Sequence, residues 1–316
     1  MWRARVGTAV LTGLLLTGLP APGNAATGGW GPDPGVAAPE SRAKQQTKQT
    51  QKPGARAEGP AKPTTPKATH RYGDHGTAST LDVYLPPAEV GRTGAKLPTV
   101  VLVHGGAWTR GSRASMAPMA RELARQGYVA VAVNYRLATQ ARWPAQRDDV
   151  SAAVSYLRRN ADRFNIDRRR MALLGSSAGG HIAAAVATAG DGRDRFRGVV
   201  VLSGLLNPVT VTKQAPDFED AVVQDKLLRC DPTECPDVYR DATPAAALNR
   251  RDVPSLLFHS EGENPFDTAQ AREFAARSRG VGVPSTLKVL AGDQHGAAYW
   301  PRISEFALSW LATRLR

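Results

Sequence analysis

The chain has 316 residues, of which 42% are apolar and 22% charged, and a formal charge of +13. That balance supports a buried core and excludes a wholly disordered chain, and the scattered glycines and prolines exclude a collagen-like repeat. The positive charge is spread along the sequence, so no nucleic-acid partner is expected, and its densest cluster, Arg168 to Arg170, reads as a solvated helix-to-strand turn.

Residues 1–25 have the layout of a secretory signal. Arg3 and Arg5 give a basic start, and Ala9 to Leu19 is apolar but shorter than the roughly 20 residues of a bilayer span. Pro20, Pro22 and Gly23 then break the stretch, and cleavage is expected after Ala25. The expected product is extracellular, with no stable membrane anchor. Residues 26–70 are rich in Pro, Gly, Gln, Lys and Thr, with Val36 the one branched aliphatic and Trp30 the one aromatic. Such a segment buries too little surface to offset its ordering entropy, so a disordered linker is expected.

From Arg71 to Arg316 the texture is that of a folded domain. Thr80 to Leu85 alternates like a strand, and Thr99 to His104 is a continuous apolar run, as in a strand buried on both faces. Met116 to Gln126 has helical spacing and stops at Gly127; Tyr128 to Tyr135 is a further strand and Asp148 to Asn160 an amphipathic helix. Arg170 to Gly175 reads as a strand running into Ser176-Ser177-Ala178-Gly179-Gly180 and an alanine-rich helix. Strands follow at Gly198–Leu202, Ser255–His259 and Ser285–Leu290, with helices at Phe266–Arg279 and Ile303–Leu315. This alternation implies an α/β architecture, a mostly parallel sheet with helices on both faces.

Gly175-Ser176-Ser177-Ala178-Gly179 at a strand-to-helix junction is the G-x-S-x-G nucleophile elbow. A sharp turn perches Ser177 at the strand end, the flanking glycines let strand and helix approach, and the helix N-terminus behind supplies free N–H groups. Ser177 is the expected nucleophile, Ser176 its less suitable neighbour. His104-Gly105-Gly106-Ala107-Trp108 directly follows a buried strand and has the make-up of an oxyanion loop. Gly106, Ala107 and Ala178 are the expected oxyanion donors; His104 orders the loop, and Trp108 is placed as a pocket wall. Where this elbow supplies the nucleophile, the chain order is serine, acid, histidine, so the base is expected after the last strand, which selects His295 over His181, His259, His70 and His75. No histidine pair has metal-ligand spacing, so neither metal nor cofactor is expected. The acid belongs in the loop His259 to Asp267: Glu263 is favoured, Asp267 is the alternative and Glu261 a third option.

With these motifs in place, residues 72–316 resemble the esterase branch of the α/β-hydrolase superfamily, near the hormone-sensitive-lipase-like and feruloyl-esterase-like carboxylesterases. Leu81-Asp82-Val83-Tyr84-Leu85-Pro86, Asn134-Tyr135-Arg136-Leu137-Ala138, and Pro144 with Asp149 also match segments of that family. The resemblance implies an eight-stranded α/β-hydrolase fold and a cofactor-free serine hydrolase acting on small-molecule carboxylic esters. Ala107 departs from the family's third glycine, as in kynurenine formamidase relatives, which keeps amide or formamide hydrolysis as an alternative. Glu263 stands where the family usually has aspartate. A non-catalytic binding protein on the same fold is the remaining alternative, disfavoured by a serine, an acid and a histidine in the family's order. Residues 207–239 read as an insertion and are expected to form a lid; they carry Cys230 and Cys235, expected to pair in an exported protein, with two free thiols as the alternative.

Overall fold

The computed structural model describes residues 68–316 except 88–89, 91–93, 211–218 and 264–265. The expected signal and almost all of the expected linker lie outside the described residues. Eight strands form one sheet: β1 (Ala68–Arg71), β2 (Thr80–Tyr84), β3 (Leu97–Val103), β4 (Val129–Val133), β5 (Ile166–Ser176), β6 (Gly198–Leu202), β7 (Ser255–Ser260) and β8 (Ser285–Leu290). Their order across the sheet is β1-β2-β4-β3-β5-β6-β7-β8. β1 pairs antiparallel with β2 and β2 antiparallel with β4; every other neighbour pair is parallel.

The sequence explains the layering. β4 is Val-Ala-Val-Ala-Val and fully buried, so both its faces need cover. On one face, Val100, Leu102, Ala172, Leu174 and Val200 pack under α1 (Ala117–Arg125) and the final helix α5 (Trp300–Arg314), through Leu123, Ile303 and Leu311. On the other, Val101, Val103, Leu173 and Val201 pack under α2 (Ala145–Arg159), α3 (Ala178–Thr188) and α4 (Thr268–Gly280), through Val150, Ile182 and Phe274. Adjacent residues of β3 thus serve opposite layers, as the two-residue period of a strand requires.

Two boundaries differ from the sequence reading. The sheet begins at Ala68, inside the expected linker: the polar Ala68–Arg71 pairs with Val83–Thr80 on the open edge of β2. β5 begins at Ile166, so Arg168–Arg170 lie within a strand rather than at a turn. β1 is held because backbone pairing at a sheet edge does not require apolar side chains, whereas Arg168–Arg170 fall where the β3–β5 register shifts, between the Leu97–Ile166 and Thr99–Met171 pairs of this central strand. Among the described residues, no helix is long and apolar enough to cross a membrane.

Candidate active site

β5 ends at Ser176, and the chain turns at Ser177 into α3. Ser177 has φ 55° and ψ −124°, a backbone state that a residue with a side chain holds only when its surroundings enforce it. Its N–H donates to Leu202 O at 2.7 Å, and its carbonyl accepts from His181 N at 3.1 Å. A Cβ on Gly179 would meet the carbonyl oxygens of Val103 and His104, and one on Gly175 would meet the Gly179 carbonyl. Glycine at these two positions is what lets β3, β5 and α3 converge behind Ser177.

His295 follows β8. Its Nε2 lies 2.8 Å from Ser177 Oγ, and its Nδ1 lies 2.7 Å from Glu263 Oε1. Glu263 is buried, and Oε2 accepts from Ser260 N at 3.0 Å. His259, also buried, brings Nδ1 within 3.5 Å of the same oxygen. Burial alone pushes the Glu263 carboxyl up; His259, His295 and the Ser203 hydroxyl outweigh it and hold the group at about 2. Glu263 is therefore a carboxylate and only accepts, so Nδ1 of His295 carries the proton and the Nε2 lone pair faces the serine hydroxyl. Asp267 is elsewhere: its Oδ1 accepts from Ala269 N at 2.7 Å as the N-cap of α4. Glu261 is exposed in the turn after β7.

Three serines hold the histidine loop, and the sequence reading missed this arrangement. Ser176 Oγ accepts from Ala297 N at 2.9 Å, and Ser203 Oγ accepts from Gly296 N at 2.8 Å. Ser260 Oγ donates to Gln294 O at 2.7 Å. The three sit at or just beyond the C-terminal ends of β5, β6 and β7, adjacent in the sheet. Ser176 is thus spent on positioning the loop. Tyr299 OH donates to Phe258 O and stands 2.7 Å from Ser203 Oγ, extending the support. The one available signal was a serine at each of three successive strand ends.

The loop after β3 carries consecutive positive φ values at Gly106, Ala107 and Trp108, of 120°, 48° and 55°. The N–H groups of Thr109 and Arg110 both donate to Gly106 O, which curls it. Among the described residues no acceptor takes up the N–H of Gly106, Ala107 or Ala178. Ala178 opens α3, where the first N–H groups of a helix lack intrahelical partners. His104 is buried, stacks on Tyr135 at 4.3 Å and donates Nδ1–H to Gly105 O at 2.8 Å. Burial lowers its pKa to about 4, so it stays neutral.

Trp108 does not wall the pocket; it is fully buried. Its Nε1 donates to His181 Nδ1 at 3.2 Å, which leaves the His181 proton on Nε2, 2.7 Å from Ala242 O. Left-handed backbone at Trp108 turns the indole inward, where this partner satisfies its N–H. The cleft itself, of about 510 Å³, is lined by Gly106, Ala107, Arg110, Met116, Ser177, Phe266 and His295 among others. No described residue of the 207–239 insertion lines it. The insertion packs instead on the segment before α2: Leu227 O accepts from Trp143 N, and Arg229 Nη2 donates to Ala138 O. Cys230 and Cys235 are bridged.

No group of three or more His, Cys, Asp or Glu among the described residues is placed to hold a metal. The arrangement is instead suited to proton transfer from a serine hydroxyl through imidazole, beside unpaired backbone donors. Sheet order, crossover helices and a strained serine between strand and helix define an α/β-hydrolase.

Comparison with known proteins gives the family. The BD-FAE family matches residues 81–277, and the chain belongs to it. Esterase LipC of Mycobacterium tuberculosis is 34% identical over 197 residues, covering 58% of this chain and 49% of LipC. The chain spans about half the length of these curated relatives, the esterases LipC and LipQ and the probable carboxylic ester hydrolase LipM. Among solved structures, a truncated carbohydrate esterase from gut microbiota superposes with a TM-score of 0.67 at 22% identity, over 81% of this chain and 100% of that one. Esterase B of Lactobacillus rhamnosus superposes with a TM-score of 0.65 at 25% identity, over 80% and 87%.

Proposed function

We propose that the protein is a serine hydrolase that cleaves carboxylic esters through Ser177, His295 and Glu263, with an acyl-enzyme intermediate. The observation that carries this is the unbroken run of hydrogen bonds from Ser177 Oγ through both ring nitrogens of His295 to Glu263. The esterase relatives point the same way. In this mechanism His295 Nε2 takes the hydroxyl proton as Oγ attacks the ester carbonyl. The N–H groups of Gly106, Ala107 and Ala178 receive the developing oxyanion. Glu263 stabilises the imidazolium, which then protonates the leaving alcohol. Water, activated by the same imidazole, releases the acid and restores Ser177.

Purified protein is expected to turn over p-nitrophenyl acetate and to be labelled by a fluorophosphonate, whereas Ser177→Ala does neither. Equal labelling of both removes Ser177 from the site. Turnover of N-formyl amides without turnover of esters transfers the reading to an amide hydrolase.

We also infer that the chain is exported. The basic-apolar-small pattern of residues 1–25 and the Cys230–Cys235 bridge support this. Protein recovered from the culture medium is then expected to start at Ala26, and an intact Met1 on such protein refutes the cleavage.

A further inference from the structure

The cleft beside Ser177 holds a full positive charge that this chemistry does not use. Arg110 lines it and is exposed, on the same loop as Gly106 and Ala107. Its backbone is fixed there, its N–H donating to Gly106 O at 3.0 Å. Its Cγ would lie 3.3 Å from a Cβ built on Gly106, so the stem of the side chain runs along the oxyanion loop. Nearby arginines are committed elsewhere: Arg113 to Asp82 and Arg136 to Asp149. Arg110 has no carboxylate partner among the described residues, and no carboxylate lines the cleft. The rest of the lining is small or apolar apart from Ser115, Ser176, Ser177 and His295, with Met116 and Phe266 as its large side chains.

An arginine that lines a cleft without a carboxylate partner raises the local concentration of anions and offers a planar fork that matches a carboxylate. Left facing a wholly neutral substrate, the charge is solvated and adds nothing to binding. We propose that the preferred esters carry a carboxylate or similar anionic group, and that Arg110 is the specificity-determining residue that receives it. This rests on the reading of Ser177 as an ester-cleaving nucleophile.

Matched pairs of substrates test it, differing by one carboxylate. Ethyl hydrogen glutarate against ethyl valerate places the charge on the acyl side; 3-acetoxybenzoate against 3-tolyl acetate places it on the alcohol side. The readout is the ratio of kcat/KM for the charged over the neutral member. Arg110→Met is expected to lower that ratio about two- to fivefold in one of the two arms, as for an exposed ion pair. Arg110→Lys is expected to retain most of it. In the unaltered protein, added salt erodes the ratio, and in Arg110→Met it does not. A ratio that Arg110→Met leaves unchanged in both arms, while neutral esters are still hydrolysed, overturns the proposal alone. Failure to hydrolyse any of the four esters, with labelling that survives Ser177→Ala, overturns the nucleophile reading and this proposal with it.

Discussion

Glu263 and Asp267 sit on the same short stretch after β7 and do different work. The Glu263 side chain reaches back so that Oε1 meets His295 while Oε2 is held by Ser260 N. Asp267 turns to the first turn of α4. Glu263→Gln keeps the shape but replaces an acceptor-only oxygen pair with an amide, which favours the wrong imidazole tautomer and leaves the imidazolium uncompensated. A loss of about 10³–10⁴ in kcat is expected, by analogy with amide replacement of a triad acid. Asp267→Asn retains a good N-cap and is expected to keep turnover, whereas Asp267→Ala costs about 1 kcal/mol of stability. Steady-state kinetics and urea denaturation of the three variants check this; loss of turnover in Asp267→Asn alone moves the acid to Asp267.

At the scale of elements, the central strands were legible because burial on both faces writes itself as apolar runs such as Val100–Val103 and Val199–Leu202. The elbow was legible because its glycines answer to backbone contacts that tolerate no side chain. β1 was not, since it is a polar segment held by pairing with β2 rather than by its own composition. Nor was the direction of Trp108, which depends on His181, a residue distant in sequence that α3 brings alongside. The insertion was legible as a segment and as a pair of cysteines, but its described part, with Val223, Leu227 and Leu228 buried, is tied to the segment before α2 and does not line the cleft. The Cys230–Cys235 bridge therefore acts on local order. Replacing both with serine is expected to cost about 2 kcal/mol on the chain-entropy argument for so short a loop, with hydrolysis of small esters retained. Urea midpoints and p-nitrophenyl acetate kinetics check it; loss of turnover in the folded variant places the insertion at the cleft.

For the whole molecule, three interior groups on separate parts of the fold set how stability answers to acid. Burial lowers His104 and His181 to about 4 from an ordinary value of 6.5, against the opposing hydrogen bonds to the carbonyls of Gly105 and Ala242. Between pH 6.5 and 4 the unfolded chain therefore binds two protons that the folded chain refuses, and stability falls as pH falls. Asp252 works the other way. It is buried, and the loss of water raises it to about 6 from 3.8, more than the Asn249 N–H hydrogen bond lowers it, so in that window the folded chain holds a proton the unfolded chain releases. Two histidines against one aspartate leave a net uptake of one proton on unfolding between pH 6 and 4, a slope of about 1.4 kcal/mol per pH unit. Below pH 4.5 the depressed Glu263 adds its own loss, which runs toward pH 2. Urea unfolding from pH 7 to 4 is expected to show this decline. Asp252→Asn removes the opposing term and is expected to steepen it to about twice the slope. Stability that stays level from pH 6 to 4 means that the two interior histidines accept protons in the folded protein and that their burial does not govern its acid response, whereas a slope that Asp252→Asn leaves unaltered means that Asp252 is already ionised in the folded protein across that window.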